Sequence, residues 1–336
     1  MSAPLSYKHN GKDGPAITAL GGGTGMPTLL RGLTTYTHNV TAIVTVADDG
    51  GSSGRLRRGL GVLPPGDFRN NIAALSRDEA LMTQLLQYRF GGSVIEGEGS
   101  ELQGHAFGNL LLAALTGITG SFDEALLAVQ RVLAMRGSVV PSTMADVVLT
   151  ADVLIGEAPG AVELHQVVGE SAITGSNGRI QRLALQPPDV RAYPPALKAI
   201  FQADLILLGP GSLYTSILPN LLVEDLAQAL AHARAPKIYL CNLATQPGET
   251  DNYTVADHVA TLLRHVPSHC LDIVLANDNF DVPAELIGRT IFVEPLAPDS
   301  VRMVSADLVD ESCPWRHDSA KLARAVMEIL ASFNSN

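Results

Sequence analysis

Short apolar runs recur along the chain, separated by longer stretches in which apolar residues return every three or four positions. The runs at 17–20, 41–46, 205–208, 237–240 and 273–275 are rich in Val, Ile and Leu. Such continuous runs predict strands covered on both faces, as in a parallel sheet. Helical spacing predicts helices at 122–135, 224–232, 255–265 and 318–332, with shorter ones at 71–75 and 79–88. Ser121, followed three residues later by Glu124, opens the first of these as a capping box. Strands and helices alternating in this way predict an α/β fold with a mostly parallel sheet flanked by helices.

The pattern changes between residues 138 and 186. Val139-Val140 and the runs 147–149, 153–155 and 180–185 are short, β-branched or alternating, and broken by Gly and Pro. They predict a small β-rich insertion that extends or flanks the main sheet. Residues 1–15 are polar and predict a flexible tail, leaving 16–336 as a single α/β domain.

Three of the predicted strands end in glycine-rich polar turns. The first reads Gly21-Gly22-Gly23-Thr24-Gly25, after which Pro27 stands near the start of a helix, where its missing N–H leaves nothing unpaired. Asp48-Asp49-Gly50-Gly51-Ser52-Ser53-Gly54 and Gly209-Pro210-Gly211-Ser212 follow two other strands. Glycine lets the backbone approach a ligand closely, and the free amides of a helix start attract an anion. In open α/β sheets, turns at the carboxyl ends of strands line the ligand crevice. The expected ligand is therefore a phosphate, held by Gly22, Gly23, Thr24 and Gly25 together with Gly209, Gly211 and Ser212. Neither common phosphate signature fits. A dinucleotide fingerprint needs glycine at Met26 or Thr28, and a Walker loop needs glycine at Met26 followed by lysine.

Polar residues near these turns supply candidate chemistry. Asp48 and Asp49 could hold Mg²⁺, which takes one or two carboxylates plus phosphate oxygens, or accept hydrogen bonds from sugar hydroxyls. A plain Asp-Gly turn capping a helix is the structural alternative. Ser52, Ser53 and Arg55 offer hydroxyls and a cation to the same ligand. In Pro64-Pro65-Gly66-Asp67-Phe68-Arg69-Asn70, Asp67 joins Asp48 and Asp49 as a candidate catalytic carboxylate, and Asn70 is a ligand donor or a helix cap. His105 and Asn109 precede the Leu110-Leu111-Leu112 helix, with His105 a candidate acid–base group or phosphate donor. Asn242, Thr245 and Gln246 carry amides and a hydroxyl suited to a base or sugar, and Arg316 stands before the last helix.

Composition narrows the classes. The chain has 336 residues, 46% hydrophobic and 17% charged, which is globular rather than disordered. A net charge of −11 argues against nucleic acid and anionic membranes as partners, so a phosphorylated ligand must rely on backbone amides and a few local arginines. Cys241, Cys270 and Cys313 are odd in number and widely spaced, which favours a reducing compartment over disulfides or zinc. With no apolar leader or membrane-length run, a cytoplasmic protein without membrane insertion is expected. A homodimer is compatible with these features. A His-Glu-x-x-His signature is missing.

Taken in order, the turns at Gly21–Gly25, Val46–Gly54, Pro64–Asp67, Leu208–Ser216 and Thr245–Asp251 resemble the gluconeogenesis-factor family (YvcK-like). That family shares a superfamily with the CofD-type 2-phospho-L-lactate transferases. The resemblance runs from about Ile17 to the end of the chain. It implies a Rossmann-like fold and a nucleotide-type ligand. For the gluconeogenesis-factor branch it implies UDP-sugar binding and a role in cell shape and envelope synthesis during gluconeogenic growth. For the transferase branch it implies Mg²⁺-dependent transfer of phospholactate from a guanosine-activated donor to a deazaflavin hydroxyl. The stretch from Asp48 to Asn71 is more similar to the first branch. A nucleotide-sugar-binding regulator is therefore expected, with the transferase as the alternative.

Overall fold

In the computed structural model, residues 14–91, 102–156, 163–176, 178–267, 269–288 and 290–334 are described. The tail expected at 1–15 lies, up to residue 13, outside them. Ten strands occur among the described residues: β1 Ile17–Gly21, β2 Val40–Val44, β3 Ser138–Pro141, β4 Val148–Ile155, β5 Glu163–Val168, β6 Arg179–Gln186, β7 Leu205–Leu208, β8 Lys237–Leu240, β9 Ile273–Asn277 and β10 Arg302–Ala306. Seven form one sheet in the order β10-β9-β8-β7-β1-β2-β3, with all neighbours parallel. Every residue of β1, β7, β8 and β9 is buried, which is why their sequences are apolar without alternation.

Helices cover both faces. They are α1 Met26–Leu33, α2 Gly51–Leu60, α3 Gly66–Leu75, α4 Glu79–Gln87, α5 Phe107–Thr119, α6 Phe122–Val132, α7 Glu170–Thr174, α8 Pro194–Gln202, α9 Leu218–Leu221, α10 Glu224–His232, α11 Val255–His265, α12 Ala284–Ile287 and α13 Ser319–Asn334. A five-residue π-helical turn, Leu213–Ile217, leads into α9. The Ser121 hydroxyl caps α6 by accepting from the Glu124 N–H, and Thr254 with Asp257 forms a full capping box on α11. Among the described residues, no single helix is long and apolar enough to cross a membrane.

The β-rich stretch divides. β3 extends the main sheet at the β2 edge, while β4, β5 and β6 form a separate antiparallel sheet in the order β5-β4-β6. β4 runs unbroken through the two short strands expected at 147–149 and 153–155, with a register shift between Asp152 and Val153. Several elements, α7, α8, α9 and α12 among them, exceed the sequence reading. α2 forms where a glycine-rich loop was expected, β5 is almost wholly exposed, and β10 is a half-exposed edge strand.

One topological fact places the site. The chain leaves β1 outward to β2 and β3, then returns to the other side of β1 at β7 and proceeds outward to β10. The strand order reverses between β1 and β7. In a parallel sheet the helices on either side of such a reversal diverge, leaving a crevice at the carboxyl ends of the two strands.

Candidate functional site

The first and third glycine turns meet at that crevice. Gly22 to Gly25 join β1 to α1, and Gly209 to Ser212 leave β7. The approach is tight enough to exclude side chains. A Cβ on Gly25 would lie 2.5 Å from the Pro210 carbonyl oxygen, and one on Gly23 would lie 2.5 Å from the Asp67 Cα. Gly209 and Gly211 have φ of +89° and +154°, which L side chains rarely adopt.

Two buried asparagines fix the peptide planes of the first turn. Asn220 Nδ2 donates to the Gly21 carbonyl (3.0 Å) and Asn71 Nδ2 to the Gly22 carbonyl (2.9 Å). The Gly23 N–H donates to the Asp67 carboxylate. With its carbonyls turned inward, the loop leads into α1, whose first amides lack helical acceptors.

A cleft of about 760 Å³ opens over this point. Gly23, Thr24, Gly25, Asn70, Gly211, Asn242, Thr245, Gln246 and Arg316 all line it. Its remaining wall includes Thr28 and Arg31 of α1, Leu243, Ala244, Pro247, Ile291 and Trp315. Arg31 Nε donates to Glu79 (2.7 Å), tying the α1 side of the cleft to α4. His317, also on the cleft wall, donates from Nε2 to the Cys241 carbonyl (3.2 Å), and burial pushes its pKa down to about 4. It is a neutral donor already in use. Arg316 and Arg31 are thus the cationic side chains of the cleft wall among the described residues.

The other expected ligand residues gather behind the glycine turns rather than on the cleft. Gly22 is closed off beneath Ser216 and Asp67. Ser212 caps the π-helical turn, accepting from the Thr215 N–H (3.1 Å) and donating to Glu249. Asp48 accepts from the Gly50 N–H (2.9 Å), and Asp49 accepts from the Ser171 N–H and hydroxyl (3.0 and 2.7 Å), which fastens the small sheet's α7 to the main sheet. Ser53 packs under Gly66, and Arg55 donates to the Gln103 carbonyl (3.0 Å). Ser52 lies 3.0 Å from His105 Nδ1 and accepts from Asn109 Nδ2 (3.1 Å). Arg69, nearly buried, donates to Asn109 Oδ1 (3.2 Å) and to Asn70 Oδ1. A continuous polar chain thus runs from His105 to Asn70 on the cleft wall.

Five carboxylates converge under the turns. Burial first, and the Asp48 charge second, push Asp67 up to about 7. Burial, then Asp48, Asp67, Asp49 and Glu249, push Glu170 up to about 9. Burial also raises Glu249, opposed by its bonds to Ser212, Thr174 and Thr215. Among the described residues no group of three or more His, Cys, Asp or Glu is arranged to hold a metal ion. Asp48 and Asp49 each use one oxygen on a protein donor, so a divalent ion held there needs further oxygens from a ligand phosphate.

The residues that sequence reasoning missed fall into two kinds. Glu249 lay inside a motif already read, but its neighbours Ser212 and Thr215 come from 34 or more positions away. Trp315, the single tryptophan of the chain, stands beside Arg316 and was the one available signal for an aromatic wall. Arg69 and Asn71 likewise lay inside a motif already read, whereas Asn220 and Glu170 carry no local sequence mark.

Comparison with known proteins agrees with this architecture. A family model described as 2-phospho-L-lactate transferase CofD matches residues 17–331. The chain therefore belongs to the CofD family, within its gluconeogenesis-factor branch. It is 43% identical over 327 residues to the gluconeogenesis factor of Bacillus subtilis, covering 94% of this chain and 98% of that protein. It is 44% identical over 328 residues to the gluconeogenesis factor of Listeria innocua, covering 96% and 97%. A crystal structure from Bacillus halodurans, described as a member of the UPF0052 family, matches with a TM-score of 0.83 at 39% identity, covering 94% of this chain and all of that one.

Proposed function

We propose that the cleft binds a nucleoside-diphosphate sugar, of the UDP-sugar type, and that the protein is a cytoplasmic regulator of growth on gluconeogenic carbon. Cell shape and envelope synthesis are the processes through which it acts. One observation carries the reading. Two glycine turns and a helix start converge at the β1/β7 crevice, and the same cleft continues past Arg316 to amides, a hydroxyl and Trp315. Backbone amides and the helix dipole suit a diphosphate in a protein of net negative charge. The polar and aromatic far wall suits a base or sugar. Calorimetry with UDP-N-acetylglucosamine and UDP-glucose is expected to give saturable binding. Clear binding of a dinucleotide with no heat from either sugar nucleotide overturns the reading.

A second reading is favoured by the carboxylates below the turn. Asp67 lies against the Gly22–Gly23 turn where a phosphate would sit, with Asp48 close enough to raise its pKa, as a phosphoryl-linked group transfer would require. Asp48 and Asp49 would then hold Mg²⁺ against ligand oxygens, and the metal would supply charge neutralisation. Asp67, with its raised pKa, would exchange a proton near neutral pH. Consumption of a nucleotide-activated donor only with Mg²⁺ present, and its loss in Asp49→Asn, would establish the enzyme over the regulator.

A further inference from the structure

The hydrogen-bond directions at the far wall of the cleft carry more than the presence of polar groups. The Gly211 N–H donates to Asn242 Oδ1 (3.3 Å). A backbone N–H can only donate, so the oxygen of Asn242 must face it and the amide nitrogen must face away. That nitrogen in turn donates to Gln246 Oε1 (3.1 Å). The Gln246 oxygen is thereby engaged, and its Nε2 has no hydrogen-bond acceptor among the described residues. The Gln246 backbone is fixed as well. Its N–H donates to Thr250 Oγ1 (2.9 Å), and its carbonyl accepts from the N–H groups of Glu249 and Thr250 (3.1 and 2.9 Å). Thr250 is fully buried. Next to it, Thr245 donates both its N–H (2.8 Å) and its hydroxyl (3.3 Å) to the Ile291 carbonyl. Its Oγ1 keeps lone pairs for a ligand while its hydrogen is directed at that carbonyl.

Both side chains line the cleft. Gln246 presents donors, its oxygen being held by Asn242, and in the neighbouring position Thr245 presents an acceptor while its hydroxyl donates to Ile291. We propose that this pair selects a base with a carbonyl beside a ring N–H over one with an amino group beside a bare ring nitrogen. The first kind is uracil or guanine, and the second is cytosine or adenine. The inference rests on the nucleotide-binding reading above and adds what that reading lacks, a reason for one base over another. A cytosine or adenine placed here sets N–H against N–H and lone pair against lone pair; the Gln246 amide cannot turn over without breaking the chain back to Gly211, and the Thr245 hydroxyl can donate only by leaving the Ile291 carbonyl. Trp315, on the same cleft, offers an aromatic face for stacking with any base, which supplies affinity without choice.

Calorimetry with UDP and CDP isolates the claim, because the two differ only in the 4-carbonyl or 4-amino group and its neighbouring ring nitrogen. GDP and ADP repeat the comparison for purines, and the tighter of UDP and GDP identifies the base size. UDP, or GDP, is expected to bind at least about tenfold more tightly than its amino counterpart, as for a mismatched buried hydrogen bond. Gln246→Ala should bring that ratio close to one. Gln246→Glu keeps an oxygen for Asn242 and replaces the donors with a lone pair, so it should favour the amino base. A ratio cancels any uniform loss of affinity, and circular dichroism with a melting curve establishes that each variant is folded. Equal affinities in the wild type overturn the inference while leaving nucleotide binding in place. A preference that persists unchanged in both variants also overturns it. If none of the four nucleotides binds, the function reading fails and the inference falls with it.

Discussion

At the scale of single residues, Asp67 is the group whose state the surroundings most control. An aspartate in the unfolded chain titrates near 3.8, whereas this one titrates near 7, because burial and the Asp48 charge both disfavour its ionised form. The folded protein then binds more protons than the unfolded chain between those values. The stability from this group is full below pH 3.8 and is lost as the pH rises through 7. Glu170, raised to about 9, acts in the same direction and extends the loss to higher pH. The melting temperature should therefore fall between pH 6 and pH 9. Asp67→Asn, whose amide oxygen can still accept from the Gly23 N–H, should show a smaller fall. An identical pH profile in the variant would remove Asp67 from this role. Gly23 tests the same contact from the other side. A methyl group there meets the Asp67 backbone, which cannot swing aside, so Gly23→Ala should destabilise by about 1–3 kcal/mol in urea unfolding. It should also weaken ligand binding, because the turn must move.

At the scale of elements, α5 offers the opposite substitution. Gly117 stands near the exposed end of that helix with open space around its Cα, at a conformation that any residue adopts. Gly117→Ala should stabilise by about 0.5–1 kcal/mol, read as a higher urea midpoint with unchanged slope. No change, or a loss, would mean that α5 is not helical there in solution. How much of this architecture the sequence displays varies with the element. α10 and α11 follow their apolar periodicity to the residue, and β7 and β8 lie where their unbroken apolar runs put them. α2 escaped because, of its ten residues, only Leu56 and Leu60 are large and apolar, and its glycines and serines read as a loop. β5 and β10 escaped because they are edge strands whose exposed residues need no apolar face. The glycine turns were legible because a turn is encoded within a few positions. Which residues face the cleft and which lie behind it was not, since Asp48 and Asp49 are oriented by Gly50 and by Ser171 on a different sheet's helix.

At the scale of the whole molecule, the site belongs to no single stretch of chain. Asn220 reaches back 199 residues to hold the Gly21 carbonyl, and the buried Asn71 holds the next one. Removing the Asn71 amide takes the side-chain donor from the Gly22 carbonyl, whereas the Gly21 carbonyl keeps the Thr45 N–H (3.1 Å), so Asn71→Ala should destabilise by about 1–3 kcal/mol and Asn220→Ala by less. Hydrogen exchange at Gly22 to Gly25 should quicken in both. If exchange elsewhere in the sheet quickens and this turn does not, the clamp is incidental. The position of β1 has a further consequence, for synthesis on the ribosome. The first strand made lies in the interior of the sheet, yet its β7 neighbour begins at Leu205, long after β2 has emerged. At about 5–20 residues per second, one side of β1 waits roughly ten to thirty seconds for its partner. During that interval an apolar strand edge stands unpaired, open to other nascent chains. Chains stalled before β7 leaves the exit tunnel should be held by chaperones and cut readily by protease, and chains stalled beyond β8 should be released and resist it.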